Sequence, residues 1–183
     1  MFRQPTDELR SDHELVLLVV EGMEYEAASI VRSGAVHEER VRDMTRFVRD
    51  FTDACHQRKE EEVLLPVVLA HRRDIAGLVR TLESDHAAGR DVIWELEAAL
   101  RAGDGDAPAT VARELAVYAR LLHGHIARED NVLLPLAEWA LRGQEPRFVA
   151  QEFARIDAEQ LGPTGYERFV LLAHELARLP AAA

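Results

Sequence analysis

The sequence predicts an all-α fold: an up-down-up-down four-helix bundle with one or two additional C-terminal helices. Three observations carry this. Apolar residues recur in alternating steps of four and three along four long stretches, the spacing that lines one face of a helix. Glycines stand at the ends of these stretches, at Gly34, Gly103 and Gly143, where a helix can stop on a left-handed residue. The alternating pattern that a half-buried strand requires is missing.

The first helix starts near Thr6 or Asp7, either of which can cap it, and stops at Gly34. Its seam is Leu9, His13, Val16, Val20, Met23, Ala27 and Ile30. The second runs from about His37 toward Ala70, with Pro66 near its end. Its face is Val41, Thr45, Val48, Thr52, His56, Glu60, Val63 and Val67, in which three consecutive steps of four make the stripe drift around His56. The third carries Ile75, Val79, Leu82, His86, Gly89, Ile93, Leu96 and Leu100 in strict alternation. The fourth carries Val111, Leu115, Tyr118, Leu122, His125, Glu129, Val132 and Leu136, with Pro108 suited to its first turn. Two shorter helices are expected at Glu145–Gln160 and Thr164–Leu179, packing across the bundle through Phe148, Phe153, Ile156, Phe169 and Leu172. The chain reads as one domain over residues 1–183, with the bundle core at about 7–142 and the helical extension at about 144–180.

Composition narrows the function classes. With 183 residues the chain can bury a core of its own. A net charge of −11 and the lack of a Lys/Arg cluster argue against nucleic acid and anionic membranes as partners. The single cysteine, Cys55, rules out an internal disulfide and fits a reducing compartment. The apolar run nearest the N-terminus, Leu15–Val20, is too short for a secretory signal core or a membrane span. The expected location is the cytoplasm; a protein partner is not specified.

The chemistry lies in polar residues that interrupt the apolar seams. His13, His86, His125 and Glu129 occupy positions that call for Leu or Val, and His56 and Glu60 do so on the drifting face. One phrase occurs twice: His56-x-x-x-Glu60 followed by Leu64-Leu65-Pro66, and His125-x-x-x-Glu129 followed by Leu133-Leu134-Pro135. A lone histidine precedes each copy. Residues four apart on a helix project to the same side, so each His-Glu pair can converge with a histidine from a neighbouring helix. Burying six such groups without partners is prohibitive. Imidazole nitrogen with carboxylate oxygen suits iron, manganese or zinc, and bundle cores build two-metal sites this way. A metal-free His-Glu network is the competing reading.

Off the seams, His37, His71, His123 and His174 read as surface or locally hydrogen-bonded residues. Glu61 and Glu62 read as solvated, with Lys59 pairing one of them. Cys55 reads as a small buried hydrophobe. Trp94, Trp139, Tyr25 and Tyr118 are expected to pack, and Tyr118, two turns before His125, lies where it could border the site.

These residues resemble the hemerythrin-like proteins of the His-His-Glu cation-binding group. The matching pieces are Asp12-His13-Glu14, His56-x-x-Lys59-Glu60-Glu61 with Leu64-Leu65-Pro66, Asp85-His86-x-x-Gly89-Arg90, and His125-Ile126-x-x-Glu129-Asp130-Asn131 with Leu133-Leu134-Pro135. The resemblance implies two iron ions bridged by an oxo or hydroxo group. His13 and His56 would hold one, His86 and His125 the other, and Glu60 and Glu129 would bridge. Asp130 is a rival for Glu129. The oxygen carriers look as if they need a fifth histidine four residues after His86, where this chain has Arg90; Gln57 stands where some relatives carry another ligand. The resemblance therefore implies binding of, or reaction with, O2, peroxide or nitric oxide, in sensing, iron handling or peroxide defence rather than oxygen transport. A weak peroxide-decomposing or ferroxidase-like activity is compatible with that ligand set. The alternative is a metal-stapled interaction or regulatory module without redox chemistry.

Overall fold

A computed structural model describes residues 4–103 and 105–178. Six helices follow in order: α1 (Pro5–Ser33), α2 (38–71), α3 (73–102), α4 (107–140), α5 (Glu145–Gln160) and α6 (Gly165–Ala177). Among the described residues there is no strand. The first four form the bundle, with α4 lying against both α1 and α3. Seam residues Leu9, Met23, Leu82, Leu96, Val111 and Leu115 are fully or almost fully buried, as the four-three spacing requires.

The helix ends follow local chemistry. α1 begins earlier than the sequence reading put it. Pro5 occupies the first turn and Gln4 the cap, with the Gln4 N–H donating to Asp7 Oδ2 at 3.3 Å. Thr6 is buried instead of capping. Gly34 ends α1 at φ 71° and Gly103 ends α3 at φ 59°, both left-handed.

The drift around His56 has a structural cause. α2 is π-helical over Val48–Gln57 and again over Glu60–Leu64. α4 is π-helical over Glu129–Leu133, the equivalent stretch of the second copy. In each, the N–H before the proline reaches back five residues: Leu65 to the Glu60 carbonyl, Leu134 to the Glu129 carbonyl. Pro66 and Pro135 lack an N–H and crowd the carbonyl four residues back. A widened turn accommodates them, so Leu-Leu-Pro accounts for the π-turn that opens on each glutamate. The extra residue rotates everything beyond it. Leu133 and Ala137 are therefore buried, whereas Val132, predicted for the seam, is 44% exposed.

The C-terminal helices cover one side of the bundle. α6 packs along α1 and touches α2, and α5 lies on α2 and α1. Gly22 permits the approach of α6: a Cβ there would fall 2.3 Å from the Leu176 carbonyl oxygen. Phe169 meets Phe47 and Phe51 at ring-centre distances of 5.7 and 5.5 Å. Phe153, Ile156 and Phe169 are buried as predicted, Leu172 is partly buried, and Phe148 is half exposed. The predicted end at Leu179 lies outside the described residues. Trp94 and Trp139, expected to pack, are more than half exposed, and Trp139 instead stacks beneath Arg72 and Arg142. Among the described residues no helix is long and apolar enough to cross a membrane.

Candidate metal centre

All six predicted residues meet inside the bundle, each at most 3% exposed. They form two groups, His13–His56–Glu60–Glu129 and Glu60–His86–His125–Glu129, with candidate ligand atoms within 4.8 Å of one another in each. Both glutamates belong to both groups. Glu129 Oε2 lies 3.1 Å from His13 Nε2, and Oε1 lies 3.1 Å from His125 Nε2. Glu60 Oε1 lies 3.7 Å from His56 Nε2, and Oε2 lies 3.4 Å from His86 Nε2. The histidines of each pair meet edge to face, with centres 4.8 and 4.6 Å apart.

Every Nε2 faces inward and every Nδ1 faces a carboxylate. His13 Nδ1 lies 2.8 Å from Asp130, His56 Nδ1 3.4 Å from Asp12, His86 Nδ1 2.8 Å from Glu61, and His125 Nδ1 3.3 Å from Asp85. These contacts run round the bundle in a cycle. α1 supplies the carboxylate for the histidine of α2, α2 for α3, α3 for α4, and α4 for α1. The geometry follows from helix pitch: the neighbour of an inward-facing residue points about 100° away, toward the adjacent helix. Such partners set the ring's orientation and tautomer and raise its strength as a donor. Asp130, the rival for Glu129, thus sits behind His13 and outside both groups. The sequence reading assigned Asp12, Glu61 and Asp85 no such role, although two signals were there: Asp precedes both lone histidines, and an acidic residue follows each grouped glutamate.

Cations stand behind three of these carboxylates, with Arg90 3.5 Å from Glu61. Lys59 and Arg128, each third after the repeat histidine, pair with Asp12 and Asp85 respectively. Lys59 is fully buried and bonds Glu8, Asp12 and Asp157 rather than Glu61 or Glu62. Glu61 is engaged with His86 and Arg90, and Glu62 with Arg58. The Gln57 amide oxygen accepts from Arg90 Nη1 at 3.3 Å. His37, His71 and His123 pair with Glu26, Glu145 and Glu24, away from the centre, and His174 is exposed. Tyr118 is buried, its ring 3.5 Å from where a Gly89 Cβ would lie, and its hydroxyl has no hydrogen-bond partner. Cys55 is buried, as expected, and its thiol donates to Asp157 at 3.0 Å.

The electrostatics require a cation or shared protons. Burial, then the charge of Glu129, pushes Glu60 up to about 7. Burial opposes ionisation of Glu129 too, but the His125 and His13 rings beside it hold it well below the usual carboxylate range. Burial pulls His13 down, but Asp130 and Glu129 raise it to about 10. Both oxygens of Glu60, both of Glu129 and His13 Nε2 are buried without a hydrogen-bond partner. Two such carboxylates side by side are strongly destabilising unless a positive charge lies between them. The four imidazole nitrogens and shared carboxylates fit a pair of divalent or trivalent transition-metal ions.

The fold and this cluster define a helical-bundle protein with a histidine- and carboxylate-lined cation site. The profile of the hemerythrin HHE cation binding domain matches residues 4–137, and the chain belongs to that family. The uncharacterized protein Rv1995 of Mycobacterium tuberculosis (strain ATCC 25618 / H37Rv) is 27% identical over 131 residues, which is 70% of this chain and 51% of that protein. The uncharacterized protein Mb2018 of Mycobacterium bovis matches to the same extent. The chain thus spans about half the length of the curated relatives it matches. No solved structure matches it.

Proposed function

We propose that the chain holds two iron ions, one between His13 and His56 and one between His86 and His125, with Glu60 and Glu129 shared, and that this centre binds or reacts with O2, peroxide or nitric oxide. The observation that carries the reading is the sharing of both glutamates between the two histidine pairs, with all four of their oxygens lacking hydrogen-bond partners. Iron in such a site supplies one-electron redox chemistry and open positions for a small oxygen- or nitrogen-containing ligand. The protein's own part is to orient four imidazoles through four outer carboxylates and to keep bulk water from a centre whose residues are at most 3% exposed.

Two residues favour reaction or sensing over oxygen transport. Arg90 stands where a fifth histidine would be, and Gln57 turns its amide oxygen to Arg90. Four histidines and two carboxylates leave more of the coordination sphere free. The role that fits is redox or oxygen sensing, iron handling or peroxide defence in the cytoplasm, where Cys55 stays reduced.

The test is anaerobic loading with ferrous iron, metal analysis, and rapid mixing with O2, peroxide and nitric oxide separately. Two irons per chain, with absorption changes lost in His56→Ala and His125→Ala, support the reading. A folded chain that takes up no iron overturns it. The same orphaned carboxylates favour one other outcome, a metal that only staples the core; removal would then unfold the chain and the iron-loaded protein would ignore all three ligands.

A further inference from the structure

The two cation positions are equivalent in the sequence repeat but not in the structure. Around His86 and His125, the supporting charges reach solvent: Glu61, Arg90 and Arg128 have side chains 36 to 45% exposed, and Asp85 18%. Asp130, behind His13, is 35% exposed as well, but directly behind His56 the charges are closed off. Asp12 and Lys59 are both 0% exposed, and the Lys59 ammonium lies 3.2 Å from Asp12, 2.9 Å from Glu8 and 2.8 Å from Asp157. Asp157 belongs to α5, beyond the residues that match the family profile. It also accepts the Cys55 thiol, while Phe153 of the same helix lies under the ammonium at 5.7 Å. A continuous chain of paired groups therefore runs from α5 to the centre: Asp157, partly exposed, then the buried Lys59, Asp12 and His56. The second copy has no such extension, since Arg128 pairs with Asp85 at the surface.

We propose that α5 sets the properties of one cation position only: Asp157, acting through Lys59 and Asp12, fixes His56 and thereby makes the His13–His56 position tighter than the His86–His125 position. The inference rests on the two-cation reading above. Lys59 and Asp157 are positioning residues. A lysine stem is flexible, and its ammonium holds Asp12 in one place only if its other donors are engaged. Asp157 and Glu8 engage them. Asp12 then presents a fixed oxygen to His56 Nδ1, and a carboxylate in that role raises metal affinity through the ring. At the other position the equivalent groups are hydrated, so their hold on His125 is screened.

The experiment is a stepwise titration of the metal-free full chain with Co2+, followed by visible spectroscopy and calorimetry. The wild type should bind two equivalents in two resolved steps. Asp157→Asn, isosteric and at a partly exposed position, should weaken the tighter step about 10-fold, the lower end for loss of an outer partner, and shift its absorption bands. The weaker step should not move. Asp157→Glu should restore both affinity and spectrum, and thermal melting checks that each variant is folded. If Asp157→Asn fails to fold, Glu8→Gln makes the same test from the other side of the ammonium. Equal weakening of both steps, or no change in either, overturns the proposal. Two equivalents bound in one unresolved step overturns it while leaving the two-cation reading intact, whereas fewer than two equivalents bound by the wild type removes both.

Discussion

Glu60 and Glu129 face one another across the inside of the bundle, each within 3.1 to 3.7 Å of one histidine from either pair. In the proposed two-cation reading each glutamate therefore serves both positions, and each histidine only one. Glu129→Gln should lose both metal equivalents, whereas His86→Ala should lose one and keep the other. Metal analysis of purified, anaerobically loaded variants distinguishes these outcomes; equal losses in the two variants would contradict the sharing.

Metal removal should lower stability. The metal-free core holds four carboxylate oxygens and a ring nitrogen without partners, and a ligand that binds only the folded chain stabilises it by mass action. Chelation should lower the melting temperature, and re-addition of metal should restore it. Glu60→Gln should narrow the gap between metal-free and loaded protein, because it removes one of the repelling charges.

Asp53, which is not among the proposed ligands, predicts a further pH dependence. Burial raises it from 3.8 to about 6, partly offset by Arg90 and then His86. A carboxyl whose folded value is raised destabilises the fold wherever it must ionise. The penalty is absent below pH 3.8, grows as pH rises, and is complete above about pH 6. Asp53→Asn should therefore melt at a higher temperature than the wild type at pH 8, with the difference shrinking as pH falls toward 4. A difference independent of pH would count against burial as the cause.

Gly22 sets how closely α6 can lie on α1. Gly22→Ala would place a methyl group 2.3 Å from the Leu176 carbonyl oxygen, and backbone cannot yield as a side-chain end can. Overpacking of this kind costs about 1–3 kcal/mol. Urea unfolding should show a loss of that size, and hydrogen exchange should rise first in α6.

The heptad seams made α1, α3 and most of α4 legible, because burial of one helical face requires only local periodicity. The break in α2 was visible as three steps of four, but the sequence reading registered only a drift. The counterpart in α4 was missed. There His125 and Glu129 keep the ordinary step, and the turn widens only beyond them, so Val132 was placed where Leu133 lies. Trp94 and Trp139 were misplaced for a different reason: large aromatic rings on an outer helix face have no periodic marker, and Trp139 is held by Arg142 close by and by Arg72, remote in the chain.

The sequence by itself determined the bundle, the repeat and the six residues that converge, since spacing along a helix decides which side chains share a face. Which carboxylate stands behind which histidine was decided only by tertiary structure. Asp12 is next to His13 in the chain yet serves His56, and Asp130 is next to Glu129 yet serves His13. Adjacent residues diverge by about 100° around a helix, so each partner depends on which helix stands beside it. Burial of Lys59 was likewise beyond the sequence, because nothing in His56-Gln-Arg-Lys59-Glu60 indicates that α5 will fold over it and supply Asp157.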